Sequence, residues 1–263
     1  MILHRTKGTP TKDGAGVSLV RVLGHHSAEA LNPFLMLDAF DTKNYEDYKA
    51  GFPMHPHRGI ETITYLHKGA VTHRDSLGHE EMVHGEGVQW MCAGAGILHS
   101  EFFDEAPHLQ GVQLWLNLPK EHKFAAPAYR EVHGRDKTTD YGRVRILSTF
   151  EDSASEYTPL RLEVHHMKKD SSMELFTEPK THSFLFPLEG TLTLDGEPID
   201  EKEAIALAAD SSGTVVAKSD LLLLVASAPA LHEPIAWGGP IVMNTKEELA
   251  EAFEDLDRGA FLP

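Results

Sequence analysis

The stretch "GFPMHPHRGIETITYLHKG" (residues 51–69) places two histidines on either side of a proline, directly before an apolar run that is typical of a strand. Side chains at positions i and i+2 of a strand point to the same face, and Pro56 restricts the backbone between them. His55 and His57 are therefore aimed at one point. This spacing favours a chelate for a metal ion if further ligands come from elsewhere in the chain.

The composition limits the class of protein and its partners. A chain of 263 residues, 41% of them hydrophobic, is long enough for two small domains with a substantial core. The 24 lysine and arginine residues face 40 aspartate and glutamate residues, which gives a formal net charge of −16. Because such a surface repels nucleic acid and no basic patch offsets the repulsion, direct nucleic-acid binding is not expected.

The N-terminal residues and the cysteine content bear on the cellular compartment. The first residues, "MILHRTKGTP", lack the apolar segment of a signal peptide, and no apolar run approaches the roughly 18 residues of a membrane span. Cys92 is the single cysteine, so the chain forms no internal disulfide and fits a reducing compartment. We therefore expect a cytoplasmic protein that does not bind membranes.

Short apolar runs punctuated by glycine recur along most of the chain, as in "GVSLVRVLG", "GVQWMCAG", "GVQLWLNL" and "TLTLDG". Many short strands with regular turn signals indicate antiparallel sandwiches or barrels rather than βαβ units. The charged stretch "HGRDKTTDYG" (residues 133–142) is the best candidate for a linker. The sequence therefore predicts two all-β domains, residues 1–132 and 143–263.

The end of the chain has a different pattern. The segment "NTKEELAEAFEDLDRG" predicts a helix over about residues 245–258, in which Thr245 and Glu248 form a capping box. An apolar stripe follows at Leu249, Phe253 and Leu256. We expect this helix to pack its stripe against a barrel.

The two halves of the chain resemble each other weakly. Aligning Gly69 with Gly190 places "HPHRGIETITYLHKG" over "FTEPKTHSFLFPLEG" without a gap. His55 and His57 then align with Phe176 and Glu178, and few residues are identical. Two interpretations remain open at this point: a chance match, or a duplicated barrel in which only the first copy kept the metal-binding pair.

A second pair of candidate ligands lies in "GAGILHSEFF" (residues 94–103), where His99 and Glu101 are again one residue apart. Two such pairs on neighbouring strands, about 4.8 Å apart, would form a compact set of donors. Three imidazoles and one carboxylate suit Fe(II), Mn, Co or Ni, whereas a closed structural zinc site prefers thiolates. Since the chain has 17 histidines, accidental pairs are the alternative interpretation, and spacing alone does not decide between them.

These motifs, together with "NPFLMLDAF" (residues 32–40), "GVQLWLNLPKEHKFAAPAY" (residues 111–129) and the tail "GGPIVMNTKEELAEAF", resemble the pirin family of the cupin superfamily. The resemblance implies two tandem cupin barrels, each a double-stranded β-helix, with one metal ion in the first barrel. It implies Fe(II) as the metal, with Mn, Co, Ni or Zn as alternatives. The ligands that it implies are His55, His57, His99 and Glu101.

The resemblance extends to bacterial pirin-like quercetin 2,3-dioxygenases, which open the central ring of a flavonol with O2. It implies a flavonol-like aromatic substrate and a catalytic role for Glu101, as acceptor of the proton of the substrate's 3-hydroxyl. The candidates for the wall of the substrate site are apolar: Phe52, Ile63, Tyr65, Met91 and Trp115. The alternative is a pirin-type regulatory protein that binds a transcription factor or a metabolic enzyme, in which the metal is structural or a redox switch.

Overall fold

The computed structural model describes all 263 residues, most of them in short antiparallel strands. The strands are β1 (Ile2–Lys7), β2 (Thr9–Asp13), β3 (Val17–Leu23), β4 (Phe34–Thr42), β5 (Phe52–His57), β6 (Ile60–Lys68), β7 (Ala70–Asp75), β8 (Glu80–His84), β9 (Gly87–Cys92), β10 (Ile97–Phe103), β11 (Leu109–Asn117), β12 (Ala128–Val132), β13 (Arg135–Thr139), β14 (Gly142–Ser148), β15 (Arg161–Met167), β16 (Ser172–Phe176), β17 (Thr181–Glu189), β18 (Leu192–Leu194), β19 (Glu197–Ile199), β20 (Glu203–Leu207), β21 (Ser212–Ala217), β22 (Leu221–Pro229), β23 (Ala236–Gly238) and β24 (Ile241–Met243). The helices are α1 (His25–Leu31) and α2 (Lys246–Asp257), with 3₁₀ turns at Tyr45–Asp47 and Lys120–His122. The predicted all-β fold is confirmed, and no helix is long and apolar enough to cross a membrane.

The chain divides into two compact units whose membership differs from the predicted division at both ends of the chain. The N-terminal barrel comprises Pro10–Val132 and Leu231–Pro263, and the C-terminal barrel comprises Met1–Thr9 and His133–Ala230. Residues 1–9 belong with the C-terminal barrel because β1 pairs with β20. The predicted linker is not a free connection, since it contains β13, which pairs with β14 in the same sheet.

Both barrels are built from a seven-stranded and a four-stranded antiparallel sheet. The N-terminal barrel has the orders β12-β9-β6-β11-β4-β3-β2 and β5-β10-β7-β8, and the C-terminal barrel has β1-β20-β17-β22-β15-β14-β13 and β16-β21-β18-β19. The orders correspond strand by strand, and β6 and β17 are both nine residues long, in the register given by aligning Gly69 with Gly190. The topology therefore favours a duplicated barrel over a chance match.

Apolar side chains from both sheets of each barrel form its core. In the N-terminal barrel one cluster gathers around Phe40 and Leu66, and a second around Ile60, Met91 and Trp115. In the C-terminal barrel alternate residues of β22 and neighbouring strands form one large cluster. This alternation follows from the strand period of two, which sends every second side chain inward.

The C-terminal helix begins and ends close to the predicted residues. The Thr245 side chain accepts a hydrogen bond from the backbone N–H of Glu248, 3.1 Å away, as in the predicted capping box. The buried face, however, is centred on Ala252, and Phe253 is 38% exposed. The predicted stripe is therefore wrong at Phe253, because residues at i, i+3 and i+7 from Leu249 form the inward face.

The tail that follows the C-terminal barrel is fixed to the N-terminal barrel by two buried cations. The Arg58 guanidinium donates to the Asp255 carboxylate at 2.9 Å and to the backbone carbonyl of Phe261 at 2.8 Å. The Lys123 ammonium donates to the backbone carbonyl of Val242 at 2.8 Å. These contacts hold the tail beside the strands that carry the candidate ligands.

Candidate metal centre and cavity

Two adjacent strands of the four-stranded sheet carry the predicted ligands. β5 and β10 are antiparallel, and their register places His99 opposite His55 and Ile97 opposite His57. Glu101 lies opposite Phe52, after an irregularity in the pairing. The two i, i+2 pairs therefore lie on neighbouring strands, which is the arrangement that a compact set of donors requires.

The glycines that precede β10 form the tight bend that delivers this strand. Gly94 has φ +45° and Gly96 has φ +148°, in the region that favours glycine. A Cβ atom at Gly94 would lie 2.0 Å from the backbone oxygen of Ala125. The backbone therefore approaches its neighbour more closely than any other residue would allow.

The structure brings three of the predicted ligands together. The Nε2 atoms of His55 and His57 are 3.0 Å apart, and the His99 ring centroid lies 4.4 Å from that of His55 and 5.0 Å from that of His57. One nitrogen from each ring lies within 4.8 Å of the other two. His57 and His99 are almost completely buried, and His55 is half-buried.

The hydrogen bonds of these rings orient their lone pairs toward a common point. The Nδ1 of His55 donates to the backbone carbonyl of Pro53 at 2.8 Å, and the Nδ1 of His57 donates to that of Pro240 at 2.9 Å. Each neutral ring therefore has its lone pair on Nε2. The buried Nε2 of His99 has no hydrogen-bond partner. Unpartnered buried acceptors and two facing lone pairs are unfavourable alone, and they fit a divalent transition metal.

Burial determines the charge of these imidazoles. It lowers the pKa of His55, it lowers that of His57 to about 3, and it lowers that of His99 well below its usual value. The rings are therefore neutral near pH 7. Neutral imidazole is the form that binds a metal ion.

Glu101 lies beside the imidazoles as a buried carboxylate held by two amides. Its oxygens accept hydrogen bonds from the side-chain amide of Gln89 and from that of Gln113, the latter at 2.8 Å. Its carboxylate lies within 4.8 Å of ring nitrogens of His99 and His73, but the four predicted ligands do not form one group within that distance. Burial raises the pKa of Glu101 to about 6, although the two amides oppose the shift.

A cavity of about 500 Å³ opens beside His55 and His57. Of the five predicted wall residues, Phe52 and Trp115 line it. Ile63, Tyr65 and Met91 do not line the cavity; all three are buried elsewhere in the core.

The alternation of side chains along β6 explains why Ile63 and Tyr65 do not line the cavity. Thr64 faces the site, since Gln113 donates to its hydroxyl at 3.1 Å. Ile63 and Tyr65 alternate with Thr64 and so point to the opposite face of the sheet. Met91 shares the face of the site but packs into the apolar cluster behind Trp115.

Much of the cavity wall comes from residues that sequence reasoning missed. Trp237, in the tail, lies against His25, and the centroids of these two rings are 3.9 Å apart. The ring centroid of Trp237 is 6.2 Å from that of Trp115. Arg21 adds a polar edge and donates to both oxygens of Asp38, at 2.9 and 2.7 Å. Nothing local in the sequence places the tail here, because it is more than a hundred residues from the other wall residues.

Other missed residues leave a signal in the sequence. Gln89 and Gln113 are single polar residues within the apolar strands "GVQWMC" and "GVQLWL", where a polar side chain facing inward needs a partner. His73 and Asp75 repeat the i, i+2 spacing of the ligand pairs, and the pairing of β7 with β10 places His73 opposite Glu101. Each of these patterns could have indicated a polar interior.

The family can now be assigned. The family model described as Pirin matches residues 16–116, and that described as Pirin C-terminal cupin domain matches residues 163–262. The chain belongs to the pirin family. The predicted resemblance and the two cupin domains are thereby confirmed.

The aligned relatives cover almost the whole chain. A "Pirin-like protein" of Caulobacter vibrioides is 36% identical and aligns with 99% of this chain and 98% of its own length. A protein of Pseudomonas aeruginosa named "Putative quercetin 2,3-dioxygenase" is 37% identical and aligns with 98% of this chain and 96% of its own length. The crystal structure of a quercetin 2,3-dioxygenase from Acinetobacter baumannii, 29% identical, superimposes with a TM-score of 0.89 and covers 99% of this chain and 97% of that one.

Proposed function

We propose that the N-terminal barrel is the site of a metal-dependent flavonol 2,3-dioxygenase that cleaves the central ring of a quercetin-type substrate with O2. The observation that carries the proposal is the convergence of three imidazoles, one nitrogen of each within 4.8 Å of the other two, beside a cavity of about 500 Å³ that His55 and His57 line. The names of the aligned relatives support the same substrate class.

His55, His57 and His99 would hold one divalent metal, with Glu101 as the fourth ligand. Fe(II) is the metal that membership of the pirin family favours, and this donor set also suits Mn, Co, Ni or Zn. When bound, the metal would supply Lewis acidity toward the substrate's 3-hydroxyl and the redox chemistry that reaction with O2 requires.

Glu101 is the acceptor for the proton of the 3-hydroxyl. In this step the O–H bond of the flavonol breaks and the proton binds to a carboxylate oxygen of Glu101. A pKa of about 6 leaves the carboxylate ionised at neutral pH, yet close enough to pH 7 to hold a proton during the reaction. Gln89 and Gln113 fix the orientation of the carboxylate through their amide donors.

The cavity suits a flat polyhydroxylated ring system. Its volume lies within the roughly 300–1,000 Å³ that is usual for small-molecule sites. The rings of Trp115, Trp237 and His25 provide an apolar wall for aromatic rings, and they exclude water from the reacting carbon atoms. Arg21 and Asp38 present charged groups at the polar edge, where substrate hydroxyls can form hydrogen bonds.

The test is turnover of quercetin by protein loaded with Fe(II) under anaerobic conditions and then exposed to air. We expect the near-ultraviolet absorbance of quercetin to fall while carbon monoxide is released. Protein that holds one metal per chain but leaves quercetin unchanged would contradict the proposal and favour the regulatory alternative. The apo protein, assayed in parallel, controls for autoxidation of quercetin.

A further inference from the structure

A chain of buried side chains lies behind His99, on the side away from the other two imidazoles. The Nδ1 of His99 is 3.5 Å from the Nδ1 of His73, which is at the long end of hydrogen-bond distances. The Nε2 of His73 is 3.0 Å from the Asp75 carboxylate. The pairing of β7 with β10 produces this arrangement, because it places Asp75 opposite His99.

The hydrogen-bond partners of Asp75 determine which ring nitrogen of His73 carries a proton. One carboxylate oxygen accepts the backbone N–H groups of Leu77 and His79, at 2.9 and 3.1 Å, and the other accepts the Nδ1–H of His79 at 2.9 Å. An ionised carboxylate only accepts hydrogen bonds, so His73 must carry its proton on Nε2. His73 is completely buried, and a neutral ring with its proton on Nε2 has its lone pair on Nδ1.

We infer that Asp75 and His73 are positioning residues that hold His99 in the tautomer with its proton on Nδ1. The His73 lone pair accepts that proton, and the lone pair of His99 is left on Nε2, facing His55 and His57. This inference rests on the proposed metal site but not on the proposed reaction.

The three candidate ligands obtain the same tautomer by different means. Backbone carbonyls, those of Pro53 and Pro240, accept the Nδ1 protons of His55 and His57. His99 has no such carbonyl. Its Nδ1 proton is accepted instead by His73, which Asp75 orients, and these two side chains form a relay. Tyr129 fixes the orientation of the His73 ring, because the two rings stack with centroids 4.1 Å apart and an angle of 15° between them.

The substitution Asp75→Asn should reverse the direction of the hydrogen bonds from Asp75 to His99, since asparagine has nearly the same shape as aspartate. The Asn carbonyl must face the backbone N–H groups of Leu77 and His79, so its amide group faces His73 and donates to Nε2. His73 then carries its proton on Nδ1 and donates it to His99, whose own proton moves to Nε2, where it blocks metal binding. Loss of a partner that orients a metal ligand typically weakens metal affinity by about 10–100-fold, and we expect a loss in that range.

Two measurements test the relay, using Co(II) alone as the probe. Competition with a chelator gives the affinity for Co(II), and long-range ¹H–¹⁵N correlation spectra of the apo protein identify the tautomer of each buried imidazole. His79→Asn is the matched control, because it removes a half-exposed donor to Asp75 but leaves the carboxylate charged. We expect this control to bind Co(II) within about twofold of wild type.

The relay is overturned if His99 in wild-type apo protein carries its proton on Nε2, or if folded Asp75→Asn binds Co(II) as tightly as wild type. Should Asp75→Asn fail to fold, the wild-type spectrum decides alone. Tight Co(II) binding, with the expected tautomer and without turnover of quercetin, would contradict the proposed function and support the relay.

Discussion

The two barrels share a strand order but differ in what their equivalent strands present. In the N-terminal barrel the pairing of β5 with β10 sets His55 opposite His99. In the C-terminal barrel the pairing of β16 with β21 sets Phe176, which aligns with His55, opposite Ser212. No group of three metal-binding side chains lies within the C-terminal barrel. The same strand framework therefore accommodates metal-binding or non-binding side chains at equivalent positions, and a few side chains on two strands create the candidate metal site.

One carboxylate in each barrel, the buried Glu101 and the largely buried Glu163, shows the same contrast in electrostatic terms. In the C-terminal barrel Glu163 accepts hydrogen bonds from Arg161, at 3.1 and 3.0 Å, and from His165 at 3.1 Å, while Tyr141 donates to His165 at 2.9 Å. Burial alone would raise the pKa of Glu163, but the hydrogen bonds from His165 and Arg161 outweigh it and lower that pKa to about 2. For Glu101 burial outweighs hydrogen bonds that come only from neutral side chains, so its pKa stays raised and it retains the ability to accept a proton near neutral pH.

The largest expected difference between the barrels is metal content. Wild-type protein should bind one metal ion per chain, because only the N-terminal barrel offers converging imidazoles. His57→Ala removes one ring of the three and should leave almost no metal after desalting. Elemental analysis of both proteins checks this, and two tightly bound ions per wild-type chain would contradict the contrast. Phe176→Ala is the matched control in the other barrel, and it should keep the metal content of wild type.

The second difference concerns the two carboxylates as bases. Glu101→Gln keeps a carbonyl oxygen beside the metal but cannot accept a proton near pH 7. A lost general base typically lowers a rate by about 10²–10⁴-fold, and we expect at least a tenfold loss of quercetin turnover per bound metal. Glu163→Gln is the matched control and should leave this turnover unchanged. Equal turnover per metal for wild type and Glu101→Gln would make Glu101 a ligand and nothing more.

The sequence predicts those features of the two barrels that depend only on residues close together in the chain. The ligand pairs are visible because i, i+2 spacing on a strand needs no knowledge of tertiary structure, and the capping box of α2 is equally local. Other features depend on distant parts of the chain. Pro240, whose carbonyl orients His57, is 183 residues away from it in sequence. The sequence also does not show that Ile63 and Tyr65 point away from the cavity, because alternation along a strand does not reveal which face lies toward the site.

The third expected effect is the loss at low pH of the contribution that Glu163 makes to the free energy of unfolding. The pKa of Glu163 is about 2 in the folded protein against about 4.5 in the unfolded chain, so its contribution is present above pH 4.5 and is lost as pH falls toward 2. A shift of 4.5 − 2 = 2.5 pKa units corresponds to about 3 kcal/mol. Urea unfolding of wild type and Glu163→Gln at several pH values measures it. The difference in stability between the two proteins should shrink below pH 4.5, and a constant difference would contradict the ion-pair network.

The smallest expected effect has the opposite sign and comes from Glu101 in the apo protein. Its pKa is about 6 in the folded protein against about 4.5 unfolded, so between these values the folded state holds a proton that the unfolded chain has released. The stabilising contribution is complete below pH 4.5 and is lost as pH rises through 6. A shift of 6 − 4.5 = 1.5 pKa units corresponds to about 2 kcal/mol. The stability of wild type relative to Glu101→Gln should therefore decline by about this amount between pH 4 and pH 7, whereas the stability of wild type relative to Glu163→Gln should not decline over this range. A relative stability that instead rises with pH would mean that Glu101 is held ionised in the fold, as Glu163 is, and the two carboxylates would no longer differ in their capacity to take a proton.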